Sequence, residues 1–199
     1  GVTAAGLAHL KDYARLQFLL LYGTKIGDAD LAGLAEVKGL THLNLSGTKV
    51  TDAGLAHLKN IKALRNIYLV GTAVTDAGLV HFKDCAVLLE ITLDNTAVTD
   101  AGMARLAECK RLGVLGLNGT KVTDAGLERL KDCKGLTYLY LRDTPVTDAG
   151  VAHLKAVASL TILDLRGTKV ADAGLAHLAD CKNLKRWFDE VSSRPSAKA

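Results

Sequence analysis

Carboxylates, thiols, imidazoles and hydroxyls each recur along this sequence at a single interval of 24 residues. Asp28, Asp52, Asp76, Asp100, Asp124, Asp148 and Asp172 could form a calcium stripe. Calcium takes roughly six to eight oxygen ligands, however, and only the first of these acids has another close by, Asp30. Capping of a helix therefore accounts for the column better. Cys85, Cys109, Cys133 and Cys181 share a second position, filled elsewhere by Tyr13, Val37, Ile61 and Val157. Zinc requires Cys or His paired at short spacing, and a disulfide requires Cα atoms within about 7 Å. Exchange with aliphatic residues instead marks a buried apolar position, so four buried, reduced thiols are expected.

His9, His57, His81, His153 and His177 alternate in a third column with Gly33, Arg105 and Arg129. Arginine is no metal ligand and is seldom buried unpaired, which places this column on an exposed surface. Lys25, Lys49, Lys121 and Lys169 read as solubilising charge along a turn. A threonine stands at every turn from Thr24 to Thr168, a repetition hard to reconcile with a catalytic nucleophile. Gly-Thr-Lys lacks the spacing of a phosphate-binding loop, and no nucleophile–base set or carboxylate pair interrupts the pattern. The sequence thus implies a non-enzyme with no catalytic residue, no cofactor and no metal site.

The elements that carry these columns follow from the same period. Gly47-Thr48-Lys49-Val50-Thr51-Asp52-Ala53-Gly54-Leu55 returns, slightly altered, from Gly23, Gly71, Asn95, Gly119, Asp143 and Gly167, without insertion or deletion. A fixed period of this size marks a solenoid. Before each return stands an apolar triple such as Leu40, Leu43 and Leu45, whose last pair alternates with polar residues. That alternation predicts a short strand with one face buried. The turn then opens on Gly, Asn or Asp, the types that best tolerate positive φ. The threonine after it is expected to bond the backbone of a neighbouring turn, since buried loop backbone must find partners.

A β-branched residue from Ile26 to Val170 enters the core next, and Thr-Asp opens a helix as cap and dipole partner. Asp30 stands where later units have Gly, which suggests that this Gly column is a preference and not a steric demand. The helix buries Leu55 and Leu58, a spacing of three along one face. Each unit is strand, turn and helix, and all strands must run parallel.

The pattern L-x-x-L-x-L-x-x-T-x-V-T-D-A-G-L-x-x-L resembles the leucine-rich repeat family, with Thr where that family usually has Asn or Cys. The match covers residues 2 to about 188. The Thr-Asp-Ala-Gly-Leu segment followed by Cys is similar to bacterial leucine-rich repeat arrays and to the cysteine-containing type attached to F-box proteins. The resemblance implies an α/β horseshoe, with a parallel β-sheet on the concave face, helices on the convex face and another protein bound in the hollow.

Composition agrees with an aliphatic, layered core, since apolar residues make up 49% of the chain and aromatic ones 5%. A formal charge of +4 with mixed signs offers no dense basic face for nucleic acid. No apolar run reaches the roughly 18–20 residues that span a bilayer. The repeat domain is expected over residues 1–190, with a polar, disordered tail over 191–199. Asp189 breaks the core pattern there, and Trp187 and Phe188 would cover the last layer. Val2 to Leu7 matches Val50 to Leu55, so the chain reads as a monomer or as part of a longer protein. The thiols suggest a cytoplasmic setting. Asn44-Leu-Ser and Asn118-Gly-Thr are glycosylation sequons that would lie on the concave face.

The repeats disagree on the strand positions that face away from the core. These read Phe18, His42, Asn66, Glu90, Val114, Tyr138 and Ile162, then Leu20, Asn44, Tyr68, Thr92, Gly116, Tyr140 and Asp164. A third column runs Tyr22, Ser46, Val70, Asp94, Asn118, Arg142 and Arg166. Tyr and Arg are enriched at interface hot spots, so Tyr68, Tyr138, Tyr140, Arg142, Asp164 and Arg166 are the expected protein-binding residues. Phe18, Leu20 and Tyr22 could instead be where a preceding unit packs. The function these columns suggest is a non-catalytic protein-interaction module. The alternatives are the substrate-recognition arm of a larger enzyme or effector, of the ubiquitin-ligase type for example, and a structural spacer.

Overall fold

A computed structural model describes residues 1–184 except 14, 84 and 180. Trp187, Phe188, Asp189 and the tail from 191 lie outside the described residues. The alternating segments form seven three-residue strands: β1 (Phe18–Leu20), β2 (His42–Asn44), β3 (Asn66–Tyr68), β4 (Glu90–Thr92), β5 (Val114–Gly116), β6 (Tyr138–Tyr140) and β7 (Ile162–Asp164). They join in chain order into one parallel sheet. Each strand residue pairs with its counterpart 24 positions on, as in Leu43↔Ile67 and Leu115↔Leu139. The repeat length therefore sets the register.

Short helices cover the other side: α1 (Ala4–Ala8), α2 (Asp28–Leu31), α3 (Asp52–Leu55), α4 (Asp100–Leu106), α5 (Asp124–Arg129), α6 (Asp148–Leu154) and α7 (Asp172–Ala176). Several continue as a 3-10 turn, and residues Gly78–Phe82 are 3-10 throughout. Between sheet and helices, Leu40, Leu43, Leu45, Val50, Leu55, Leu58 and Ile61 of one repeat are each at most 1% exposed. Strands stack about 4.8 Å apart while packed helices need about 8–10 Å. The array consequently bends with the sheet on its concave side.

All seven turn-opening residues are left-handed, including Asn95 at φ 55° and Asp143 at φ 57°. The threonine after them behaves differently from expectation. Thr48 Oγ1 donates to Leu45 O of its own repeat at 2.6 Å, and Thr72, Thr96, Thr120 and Thr144 do the same. The hydroxyl folds back because the turn leaves its own strand-end carbonyl three residues away. Neighbouring turns are joined by backbone, as in Gly47 N to Val70 O at 2.8 Å, and at two places also by a side chain, Asp94 accepting from Asn118 N and Asn118 from Arg142 N.

The two-point side-chain link between repeats belongs to the aspartates. Asp52 Oδ1 accepts from the backbone amide of Thr75 at 2.8 Å and its Oδ2 from the Thr75 hydroxyl at 2.6 Å. Asp28, Asp76, Asp100 and Asp124 hold Thr51, Thr99, Thr123 and Thr147 in the same way. At α3, α4, α5 and α6 the threonine is the helix cap, its Oγ1 accepting from the amide two residues on. From Asp28 to Asp124 both carboxylate oxygens accept from an amide and a hydroxyl, which gives the column a structural use.

This bridge also corrects the reading of the glycine column. A Cβ on Gly78 would lie 2.4 Å from Asp52 Oδ1, and one on Gly54 2.4 Å from Asp28 Oδ1. Glycine is therefore required wherever the preceding repeat carries the aspartate. Asp30 is tolerated because the residue 24 positions before Asp28 is Ala4. Asp30 supplies the missing carboxylate itself, accepting from Ala4 N at 3.1 Å and Gly27 N at 3.0 Å.

A double-mutant cycle checks the coupling. Asp52→Ala is expected to cost about 2–3 kcal/mol in urea unfolding, as charged hydrogen bonds to Thr75 are lost, and Gly78→Ala about 1–3 kcal/mol from overpacking. The double variant should fall short of the sum by about 1 kcal/mol or more, because removing the carboxylate removes the obstacle. Strict additivity would contradict the shared contact.

Candidate interaction face on the sheet

The outward strand residues are positioned by the same pairing that aligns the core. Since Phe18, His42, Asn66, Glu90, Val114, Tyr138 and Ile162 are successive register partners, they form one row across the sheet. Leu20, Asn44, Tyr68, Thr92, Gly116, Tyr140 and Asp164 form the next. Their side chains point away from the core because successive strand residues alternate faces.

The residues expected to bind a partner fall into two groups. Tyr138 is 38% exposed, and Tyr140 beside it on β6 is half-buried. Arg142 is exposed, its Nε donating to Asp143 Oδ2 at 3.0 Å and its backbone amide to Asn118 Oδ1 at 2.8 Å. Arg166 forks onto Asp164, with Nε to Oδ1 at 2.9 Å and Nη2 to Oδ2 at 2.6 Å. That fork holds the Asp164 carboxyl below the usual range, against the opposing pull of partial burial. Tyr140, Asp164 and Arg166 share the wall of a groove of about 660 Å³ beside β7. Tyr68 stands apart on β3, three strands or about 14 Å from Tyr140. Its hydroxyl donates to Glu90 Oε2 at 2.9 Å, and Asn66 Nδ2 donates to the same oxygen. Burial first, then Glu90, raises the Tyr68 hydroxyl above its ordinary value.

Between the groups lie residues that their types alone did not single out. Gly116 on β5 is buried, and a Cβ there would lie 2.4 Å from Asp94 Oδ2. The Asp94 carboxylate thus rests over Gly116, with Oδ1 accepting from Asn118 N at 3.2 Å. Desolvation raises the Asp94 carboxyl, outweighing the amide bonds that favour its charge. Thr92 Oγ1 is buried beside them without a hydrogen-bond partner. The Tyr140 hydroxyl is raised chiefly by burial, and then by Tyr138, Glu90, Asp164 and Asp94. A glycine in a variable column, two positions past a carboxylate's strand partner, was the one available signal.

Cys85, Cys109, Cys133 and Cys181 are all buried, and burial pushes the Cys109 thiol up to about 12. Raised thiols are poor nucleophiles at neutral pH. The histidine and arginine column is solvent-facing or half-buried throughout. The sequon residues are engaged, Asn44 Oδ1 accepting from Ser46 N and Asn118 Oδ1 from Arg142 N. Phe18, Leu20 and Tyr22 are 59–64% exposed at the β1 edge, where Phe18 stacks on His42 at 4.0 Å.

A leucine-rich repeat family model matches residues 40–58 and 158–179. Among solved structures, an internalin from Listeria monocytogenes superposes with a TM-score of 0.66 at 19% identity, over 87% of this chain and 55% of its own. Internalin C2 from the same organism superposes at 0.67 with 20% identity, over 92% of this chain and 81% of its own. The chain thus spans about half the length of the first internalin. No curated protein matches the sequence. No helix among the described residues is long and apolar enough to cross a membrane.

Asp94 gives the site a measurable signature. A carboxyl raised by folding favours the native state when protonated, and that contribution is lost as pH rises through its folded value. At pH 7, Asp94→Asn is therefore expected to raise the melting temperature by about 1–3 °C. The gain should vanish below the ordinary carboxyl value of 3.8, where both side chains are neutral. A loss of stability at pH 7 would show that Asp94 is held for the fold.

Proposed function

We propose that this chain, a leucine-rich repeat solenoid, is a non-catalytic module that binds a protein partner through its concave sheet. One contrast carries the reading. Core and turn columns repeat nearly unchanged, whereas the outward strand columns change chemistry at almost every step and gather tyrosine and arginine. Rigid strands suit a binding surface, because side chains held by a packed sheet lose little freedom on binding. Tyr138, Tyr140, Arg142, Asp164 and Arg166 form the main anchor group and Tyr68 a second. The partner is a protein and not nucleic acid or a membrane. The repeats act as one binding unit, as a monomer or within a longer chain, and the buried cysteines favour the cytoplasm.

A second reading keeps the surface and changes the context. The first internalin is nearly twice as long as the matched region, so the array could equally serve as the recognition arm of a larger enzyme or effector. A structural spacer is the reading that gives the outward columns no work.

A photo-crosslinking amino acid at position 138 or 140 tests the surface, with position 57 or 153 on the convex side as control. Cross-links to a defined protein in cell extract are expected from the concave positions only. Tyr138→Ala/Tyr140→Ala should weaken that partner at least tenfold at unchanged folding, in line with hot-spot losses of about 2 kcal/mol. Equal capture by the variant would overturn the concave-face reading.

A further inference from the structure

The sheet is not uniform between its two tyrosine groups. Across β3 to β6 one row reads Tyr68, Thr92, Gly116, Tyr140. Two small residues lie between two large rings, which leaves a trough about two strands wide. In the row on one side Glu90 stands next to Val114, and after the strands on the other side come Asp94 and Asn118. Glu90 therefore stands at one end of the trough, and the Asp94 carboxylate enters from the other and lies over Gly116 on its floor. Both lie close enough to Tyr140 to raise its hydroxyl.

The charges in this region are not balanced. Among the described residues the concave Arg142 and Arg166 are already paired, with Asp143 and Asp164. Glu90 accepts from the neutral Asn66 amide and Tyr68 hydroxyl, and Asp94 from the backbone and side-chain amides of Asn118, which are neutral too. Among the described residues neither carboxylate meets a cation, although Asp94 is already partly desolvated. Gly116 matters here, since any larger residue would displace the Asp94 carboxylate from the floor. Thr92 Oγ1 lies beneath that floor, closed to solvent.

We propose that this trough receives an arginine or lysine side chain of the protein partner, between the rings of Tyr68 and Tyr140 and against the carboxylates of Glu90 and Asp94. The inference rests on the concave-face reading and adds the chemistry of the anchor. Carboxylates at both ends supply the charge complement, and the tyrosine faces attract a cation through their quadrupoles. A planar guanidinium fits best, because it stacks on an aromatic ring while donating to two acceptors at once. An acidic or purely apolar anchor would leave Glu90 and Asp94 uncompensated in a closed interface, which is costly.

NMR titration of the whole chain with N-acetyl-arginine methylamide tests this, with the neutral citrulline analogue as control. The arginine compound is expected to shift the Thr92 and Gly116 amides and the Tyr68 and Tyr140 rings saturably, at least tenfold more tightly than citrulline. Glu90→Gln/Asp94→Asn, which keeps shape and removes charge, should bring the two compounds within twofold. Equal binding of both compounds by the wild type, or shifts confined to other surfaces, would overturn the inference. The partner found by cross-linking separates the two levels. If Tyr138→Ala/Tyr140→Ala loses it but Glu90→Gln/Asp94→Asn retains it fully, the concave face stands and the basic anchor falls. Loss in both, by tenfold or more, supports both, and loss in neither overturns both.

Discussion

The Asp–Thr bridge between successive repeats is the constraint on which the rest depends. One carboxylate fixes a backbone amide and a hydroxyl of the next unit, and at most repeats that hydroxyl in turn caps a helix, as Thr51 does. The bridge works only if the next glycine leaves room, so Asp and Gly columns are a single device split between two repeats. It also accounts for the unbroken period, because an insertion would move the amide away from its acceptor. At the first repeat the device reverses direction: Ala4 has no carboxylate to offer, and Asp30 reaches back in place of glycine. The exchange keeps a carboxylate–amide link between the repeats where its usual residues are absent.

Because this linkage lies at the helix starts and the aliphatic core is closed beneath the sheet, the outward strand residues carry little of the fold. They are held at fixed spacing by strand pairing while remaining nearly independent in identity. Such an arrangement pre-organises a surface without dictating what it binds. It also makes Asp94 informative. A desolvated carboxylate without a cation works against stability, and such costs concentrate where a protein gives up stability for binding. The likeness to the internalins, at 19–20% identity, concerns this framework. The surface chemistry belongs to this chain.

What was legible in the sequence was what repeats. The apolar triples, the left-handed turn at Gly, Asn or Asp, the buried thiols and the strand register all follow from a residue type recurring at one interval. What escaped was where a side chain reaches. Thr48 and Asp52 are both polar residues at a fixed place, and nothing in the period says that the first turns inward and the second spans repeats. Glycine at position 78 seemed optional because Asp30 occupies its column, and the reason lay at Ala4. The trough was hidden for the opposite cause. Glu90, Thr92, Asp94 and Gly116 each occur once in a variable column, so no recurrence marks them, and only their cross-strand adjacency gives them a shared role.

Native-state hydrogen exchange compares the framework and the face most directly. The wild type would be measured against a variant with Tyr68, Glu90, Asp94, Tyr138, Tyr140 and Arg142 all replaced by serine. If the bridges and core hold the array by themselves, the amides of Thr75, Thr99, Thr123 and Thr147 should keep their protection within about threefold, well under 1 kcal/mol of opening free energy. A fall of a hundredfold or more at those amides would contradict the separation, and would mean that the concave residues hold the solenoid together.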